Sequence, residues 1–337
     1  TLDIPLFTSY KAENLKDKPD LVIIGNVISR GNPEAEEAFR LQIPYMSLPQ
    51  AMSEFVIGQT HSIVVSGTHG KTTTTSLMAW VSESAGLKPG FMVGGIPKNY
   101  GVSFQNPKGN YFVIEGDEYD TAFFDKVPKF IYYKPRTVIL TSVEFDHADI
   151  YKDLDDVKKA FRRLLELIPS DGLLVYNSDD QNILSLLPHA QCKTVPVGKE
   201  SGDFKVHSVE PIREGIRFAV KHEGEDVTYT VPLFGEYNAL NATYVVAVAQ
   251  TLGWNVDLQK CFTSFQGVKR RQEIIGERNS VLVIEDFAHH PSAVEQTLKT
   301  FLKRKGAHKL HAIFEPRSAT SRRSEEHTSE LQSPCNL

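Results

Sequence analysis

A run of apolar, β-branched residues, Ile63-Val64-Val65, leads straight into Ser66-Gly67-Thr68-His69-Gly70-Lys71-Thr72-Thr73. The apolar run reads as a buried strand, and the hydroxyl-rich segment from Lys71 onward as the start of a helix. Between them, two glycines let backbone N–H groups close around an anion, and the helix start presents its positive end to the same point. Lys71 then reaches the terminal phosphates of a nucleotide, and the Thr72 hydroxyl is placed to hold Mg²⁺. The spacing is GxxGKT rather than the longer Walker form, so the cradle is a shortened one. Gly-Lys-Thr also occurs in ordinary turns. The strand before it and the helix after it argue instead for phosphate binding by Gly67, Thr68, His69, Gly70, Lys71, Thr72 and Thr73.

The rest of the chain supplies the sheet that such a loop needs. Short apolar runs alternate with helical patterns, which predicts an α/β fold with a mostly parallel, doubly wound sheet. Residues 1–60 read as a partial α/β domain. It has a buried strand over 21–24, a helix capped by Asn32 and opened by Pro33, a strand over 43–46 and a helix over 49–55. Gly25, Asn26 and the Arg30-Gly31-Asn32 loop lie at strand ends, where ligands bind, although loop chemistry explains them equally well.

Residues 61–267 form the central unit. Helices are predicted over 71–85, closed by Gly86, and over 154–168; strands over 91–93, 111–114, 137–140 and 172–176. From 204 to 233 the period drops to two, with turn signals at Arg213-Glu214-Gly215 and Glu223-Gly224, so antiparallel strands should flank the sheet. A helix over 238–252 ends at Gly253. Residues 268–322 open a third unit, with strands over 281–284 and 310–314 and a helix over 291–303. That is too little for a core of its own, so the unit reads as truncated. Residues 323–337 break from what precedes them and resemble one reading frame of a sequencing adapter. They are set aside as non-native, Cys335 with them. Thr1 is no initiator, and the chain reads as incomplete there too.

Composition narrows the partners. Of 337 residues, 41% are hydrophobic and 23% charged, as in an ordinary globular protein with a sizeable core. A net charge of −5 argues against nucleic acid or an anionic membrane as the main partner. No apolar run approaches the roughly 20 residues of a membrane span, and no secretory pattern opens the chain. Cys192, Cys261 and Cys335 are too scattered for a disulfide framework or a zinc site. A cytoplasmic monomer is expected.

Three clusters fall at the carboxyl ends of consecutive predicted strands: the phosphate loop, Glu115-Gly116-Asp117-Glu118-Tyr119-Asp120 and Glu144-Phe145-Asp146-His147-Ala148-Asp149. A parallel sheet gathers its ligand site there. Mg²⁺ takes oxygen ligands, a couple from protein and the rest from phosphates and water, which suits Thr72 and Glu115. His147 is placed to ligate a divalent ion or to contact phosphate. An acidic run is commonly a solvated turn, and a single histidine is more often structural; their position after apolar strands favours function. Further on, Gly235-Glu236-Tyr237-Asn238-Ala239-Leu240-Asn241 sets two asparagines one turn apart. Asn238 is a helix cap or a ligand contact. Asn241 has no capping duty, and its amide offers the donor and acceptor that an adenine edge requires. Lys269-Arg270-Arg271 is a solvated linker, or a hinge whose arginine neutralises a transferring phosphoryl group. Asp286-Phe287-Ala288-His289-His290-Pro291 is another strand-end site, facing the central unit across a cleft.

In kind and order, GTHGKTTT (67–74), EGDEYD (115–120), EFDHADIY (144–151), GEYNALN (235–241), KRRQE (269–273) and DFAHHP (286–291) resemble the Mur ligase family. The resemblance covers nearly all of residues 21–317. It implies ATP-dependent amide formation in peptidoglycan metabolism, through an acyl phosphate on the substrate carboxylate. It also implies a three-domain architecture: an N-terminal UDP-substrate domain, a central ATP-binding P-loop domain and a Rossmann-like C-terminal domain. ATP and Mg²⁺ are the implied cofactors. By motif, catalytic roles fall to Lys71, His147 and Arg271, and metal binding to Thr72, Glu115 and His147. Nucleotide contacts fall to residues 67–73 with Asn238, Asn241, Arg271 and Asp286. The phrases DLVIIGN, SRGNP, EYD followed by FFDK, and EFDHADI resemble the branch that joins UDP-N-acetylmuramate to the murein tripeptide L-Ala-γ-D-Glu-meso-diaminopimelate in recycling. The branch that adds L-alanine to UDP-N-acetylmuramate is the alternative.

Some positions depart from the family pattern. Tyr237 stands where the family usually has histidine. Ala160-Phe161-Arg162-Arg163 occupies the place of a carbamylated lysine found in some relatives; Lys158 and Lys159 are out of register, so none is expected. The N-terminal glycine-rich loop and most of the third domain are missing from the sequence, so the fragment is expected to be inactive. A nucleotide-switch or motor NTPase fits less well, because the loop is short and no acidic run for Mg²⁺ and water follows the next strand. A nucleotide-binding module without chemistry is the third reading.

Overall fold

The computed structural model describes residues 4–146, 150–303 and 309–315. Its first unit pairs β1 (Val22–Ile24) with β2 (Tyr45–Ser47) in parallel around α1 (Pro33–Arg40). The Asn32 side chain caps α1 as expected, accepting from the amides of Glu34 and Ala35. The predicted buried strand is only half so: Ile24 is buried, but Ile23 is 49% exposed because this two-stranded sheet is covered on one face. The expected helix over 49–55 starts one residue earlier, as α2 (Leu48–Ala51), where Ser47 and Gln50 form a capping box. It then widens into a π-helical segment over Met52–Ile57.

The central unit runs through β3 (His61–Ser66), α3 (Lys71–Ser84), β4 (Gly90–Met92), β5 (Phe104–Gln105) and β6 (Tyr111–Gly116). After the hairpin β7 (Asp120–Ala122) and β8 (Asp125–Pro128) come β9 (Pro135–Leu140), α4 (Leu154–Glu166), β10 (Leu173–Asn177) and α5 (Gln181–Leu186). Then follow β11 (Lys193–Gly198), β12 (Phe204–Ile212), β13 (Gly215–His222), β14 (Glu225–Val231), α6 (Glu236–Thr251) and α7 (Leu258–Ser264). Ten strands join in the order β14-β13-β12-β11-β10-β9-β3-β6-β4-β5. The strands from β4 to β12 pair in parallel; β12-β13-β14 and the edge strand β5 are antiparallel.

Alternation along β3 explains the two layers. Ile63 and Val65 join the core beneath α3 and α6, while Val64 joins the core beneath α4. Helix α6 is apolar almost all round, from Ala239 to Ala249, because it is wedged between α3 and the strands β10 to β13. The sequence reading omitted β11, α5, α7 and the β7–β8 hairpin, each short or lacking a sustained period.

The third unit begins with an antiparallel hairpin, β15 (Glu273–Arg278) and β16 (Val281–Glu285), followed by α8 (Pro291–Leu302). Asn279 and Ser280 turn it with φ of 51° and 60°, the geometry of a tight two-residue connection. The strand predicted over 310–314 is not one. Residues 309–315 are irregular, Ile313 is 98% exposed, and among the described residues no strand forms a ladder with this stretch. Among the described residues, no helix is long and apolar enough to cross a membrane.

Candidate active site

Strands β9, β3 and β6 are neighbours, so the phosphate loop, the Glu115–Asp120 cluster and Glu144–Asp146, the described part of the third cluster, meet at one end of the central sheet. The phosphate loop leaves β3 through Gly67 at φ 129°, where a Cβ would lie 2.8 Å from the Ser142 amide. Only glycine fits that close approach. The loop is pinned to the end of β9: the Thr68 amide donates to the Ser142 carbonyl at 2.9 Å, and the His69 amide to Ser142 Oγ at 3.0 Å. Gly70, at φ 79°, is the N-cap of α3 and brings no side chain to the helix's first amides, which remain directed at the cleft.

Charge is concentrated just below. Lys71 Nζ donates to the Gly67 carbonyl at 2.6 Å and to Glu118 Oε2 at 3.0 Å. Burial disfavours its charge, but the carboxylates of Glu118, Asp117 and Glu115 outweigh burial and hold its pKa above the usual lysine value. Asp117 is partly buried; burial pushes its pKa up, but Lys129, 2.5 Å away, and Lys71 outweigh it and keep the pKa below the ordinary carboxylate value. Beside them, Thr72 Oγ1 donates to Glu115 Oε1 at 3.0 Å, and the Gly94 amide to Glu115 Oε2 at 2.9 Å. A hydroxyl and a carboxylate at this spacing are hard oxygen donors, which fits Mg²⁺.

The far wall comes from α6 and the third unit. Asn238 is not the cap: Gly235 is, and Asn238 sits a turn inside α6, donating to the Phe234 carbonyl at 2.7 Å. Its Oδ1 accepts from Asn241 Nδ2 at 2.9 Å, which aims the Asn241 amide oxygen at Gly70. The hinge follows α7. Lys98 and Lys269 exchange backbone bonds with Gly267 and Ile96, and Arg270 and Gln272 take φ of 60° and 49°. The Arg271 guanidinium thereby reaches back across the cleft, with Nη2 3.0 Å from Thr72 Oγ1 and Cζ 5.1 Å from the Phe287 ring centre. Asp286 accepts from the Gln272 amide at 2.8 Å and the Ala288 amide at 2.7 Å, so it fastens the hinge to the hairpin end; burial pushes its pKa up.

Sequence reasoning passed over Gln272, which is 8% exposed and joins these parts. Its amide nitrogen donates to the Tyr237 hydroxyl, and its amide oxygen accepts from the Phe234 amide at 3.2 Å and from Asn238 Nδ2 at 3.3 Å. The only signal was its place in KRRQE. Tyr237, where histidine was the family expectation, thus has a structural partner, and burial pushes its phenol pKa up. Glu144 was read only as the first residue of the 144–149 cluster, without a role, and Ser292 was passed over. Glu144 Oε2 lies 3.3 Å from His69 Nε2 and 3.1 Å from Ser292 Oγ, and the hydrogen bond to His69 holds its carboxyl below the usual value despite partial burial. His147, expected as a catalytic and metal-binding residue, lies outside the described residues.

The phosphate loop, Glu115, Asn241, Arg271, Gln272 and Asp286 line a cleft of about 300 Å³. Its floor is a phosphate cradle; its upper wall is polar and amide-lined. Gly70→Ala tests this arrangement. A Cβ there would sit 2.7 Å from Asn241 Oδ1, and the left-handed backbone adds about 1–2 kcal/mol of strain. The expected result is a rise in KM for ATP of about tenfold or more, with kcat changed less, in steady-state kinetics.

Comparison with known proteins places this geometry in context. Residues 1–60, 65–249 and 270–332 match, in turn, the families described as Mur ligase family, catalytic domain; Mur ligase middle domain; and Mur ligase, glutamate ligase domain. Over 320 residues the chain is 40% identical to the UDP-N-acetylmuramate–L-alanyl-γ-D-glutamyl-meso-2,6-diaminoheptandioate ligase of Escherichia coli K12, covering 94% of this chain and 70% of that protein. The crystal structure of the corresponding ligase from Neisseria meningitides superposes with a TM-score of 0.71 at 40% identity, covering 78% of this chain and 84% of that one. The UDP-N-acetylmuramate–L-alanine ligase of Clostridium tetani is 33% identical over 324 residues, 95% of this chain and 69% of that protein.

Proposed function

The chain belongs to the Mur ligase family, and from that premise we propose that it joins UDP-N-acetylmuramate to L-alanyl-γ-D-glutamyl-meso-diaminopimelate with cleavage of ATP, a step of peptidoglycan recycling. The observation that carries this reading is the convergence of Lys71, Thr72, Glu115 and Arg271 on one cleft, in a chain 40% identical to ligases of that specificity.

In this reading the muramate carboxylate attacks the γ-phosphorus of ATP, forming a C–O–P bond as ADP leaves. The peptide's α-amine then attacks the acyl carbonyl, the C–N bond forms and phosphate departs with the bonding electron pair. The protein's part is positioning and charge neutralisation. The loop amides of residues 67–73 wrap the phosphates. Lys71, held in reach by Glu118, neutralises the terminal oxygens. Thr72 and Glu115, with His147 as the proposed third ligand, would hold Mg²⁺, which when bound supplies neutralisation of phosphate charge. Asn241, oriented by Asn238, meets the adenine edge. Arg271 carries positive charge from the third unit to the transferring phosphoryl group, and Asp286 keeps that hinge in register beside the ribose and phosphates.

A coupled assay for phosphate release tests the reading in the protein completed to the length of its relatives. Release should require UDP-N-acetylmuramate and an amine acceptor together. ATP hydrolysis indifferent to both would contradict it.

A further inference from the structure

The mouth of the cleft holds a second group of ligating side chains, distinct from Thr72 and Glu115. His69 comes from the phosphate loop, Glu144 from the end of β9, and His290 from the start of the third unit's helix. One ligand atom from each lies within 4.8 Å of the others. All three converge on the Ser292 hydroxyl: His290 Nδ1 at 2.7 Å, His69 Nε2 at 3.0 Å and Glu144 Oε2 at 3.1 Å. A hydroxyl has one proton to give. An ionised Glu144 takes it, so the two histidine nitrogens point at one oxygen from opposite units.

We propose that His69, Glu144 and His290 form a binding site for a divalent transition ion of the zinc class, one that ties the phosphate loop to the third unit. Zinc–nitrogen and zinc–oxygen bonds of about 2.0–2.2 Å place tetrahedral ligand atoms roughly 3.3 Å apart. His69 Nε2 and Glu144 Oε2 already stand 3.3 Å apart. A ring nitrogen of His290, within 4.8 Å of both, completes the set. Two imidazoles and one carboxylate suit zinc, whereas Mg²⁺ prefers the all-oxygen pair Thr72 and Glu115. The two histidine rings lie 4.9 Å apart between centres and tilted by 51°, so no bulky group separates them. The bound ion would cross-link three segments distant in sequence and hold the third unit against the loop.

The site is independent of the ligase reading, and its test needs no turnover. The full chain, stripped of metal with a chelator, is titrated with ZnCl₂ against a chromophoric zinc chelator in millimolar Mg²⁺. One zinc should bind per chain and raise the melting temperature. His290→Gln and His69→Gln, which keep a hydrogen-bonding side chain, should each weaken binding tenfold or more and lose the thermal shift. Glu115→Gln should leave the affinity within about twofold, because Glu115 belongs to the separate Thr72–Glu115 pair. Unchanged affinity in His290→Gln, loss of binding in Glu115→Gln, or displacement of zinc by Mg²⁺ would each overturn the proposal.

Discussion

Lys71→Met should lower kcat/KM for ATP-dependent ligation about a thousandfold, the scale seen when a charge-stabilising group is removed from phosphoryl or acyl transfer. Methionine keeps the length and the helix, so the loop's shape survives. The lysine is also structural, because Glu118 is 2% exposed and 3.0 Å from its ammonium. Removing one partner of a buried pair costs about 3–5 kcal/mol, so the single variant should also melt early. The double variant Lys71→Met with Glu118→Gln separates the two effects. Its melting temperature should recover most of the loss, while its activity stays a thousandfold down. Recovery of activity along with stability would make the lysine a scaffold rather than a phosphate ligand.

Arg271→Ala should cost kcat on the order of a thousandfold, with KM for ATP changed far less, since of its two expected roles, catalysis and nucleotide contact, neutralising charge at the transferring phosphoryl group should dominate. Arg271→Lys should restore little. A lysine keeps the charge but loses the planar guanidinium that lies over Phe287 and reaches Thr72 Oγ1 at 3.0 Å. Single-turnover measurement of ADP formation reads the chemical step directly. If Arg271→Ala raised KM alone, the residue would belong to the nucleotide's binding site and not to the transfer.

These two residues also show what the sequence made legible. Lys71 and Thr72 were readable because a loop between strand and helix fixes its neighbours locally. The meeting of Glu115 with Thr72 was readable too, since strand ends of a parallel sheet share one edge. Arg271 could be read as a hinge group but not placed, because its position depends on backbone bonds linking 96–98 to 267–269 and on positive φ at Arg270 and Gln272. Gln272 was legible only as a member of KRRQE, with no role attached, and Ser292 was not legible at all, because a serine after proline carries no periodicity or motif. Of the two readings of Asn238, the cap fails, because Gly235 takes that position through its backbone alone. The strand expected over 310–314 failed for a long-range reason. Apolar residues suit a strand only where a partner strand is present.

Which amine the site accepts is the central claim, and a competition assay reads it most directly. The protein, completed to the length of its relatives, is given UDP-N-acetylmuramate, ATP, Mg²⁺ and equal concentrations of L-alanine and L-alanyl-γ-D-glutamyl-meso-diaminopimelate. Mass spectrometry then identifies the products. UDP-N-acetylmuramoyl-tripeptide should be the dominant product, with one ADP and one phosphate released per amide formed. UDP-N-acetylmuramoyl-L-alanine as the main product would contradict it.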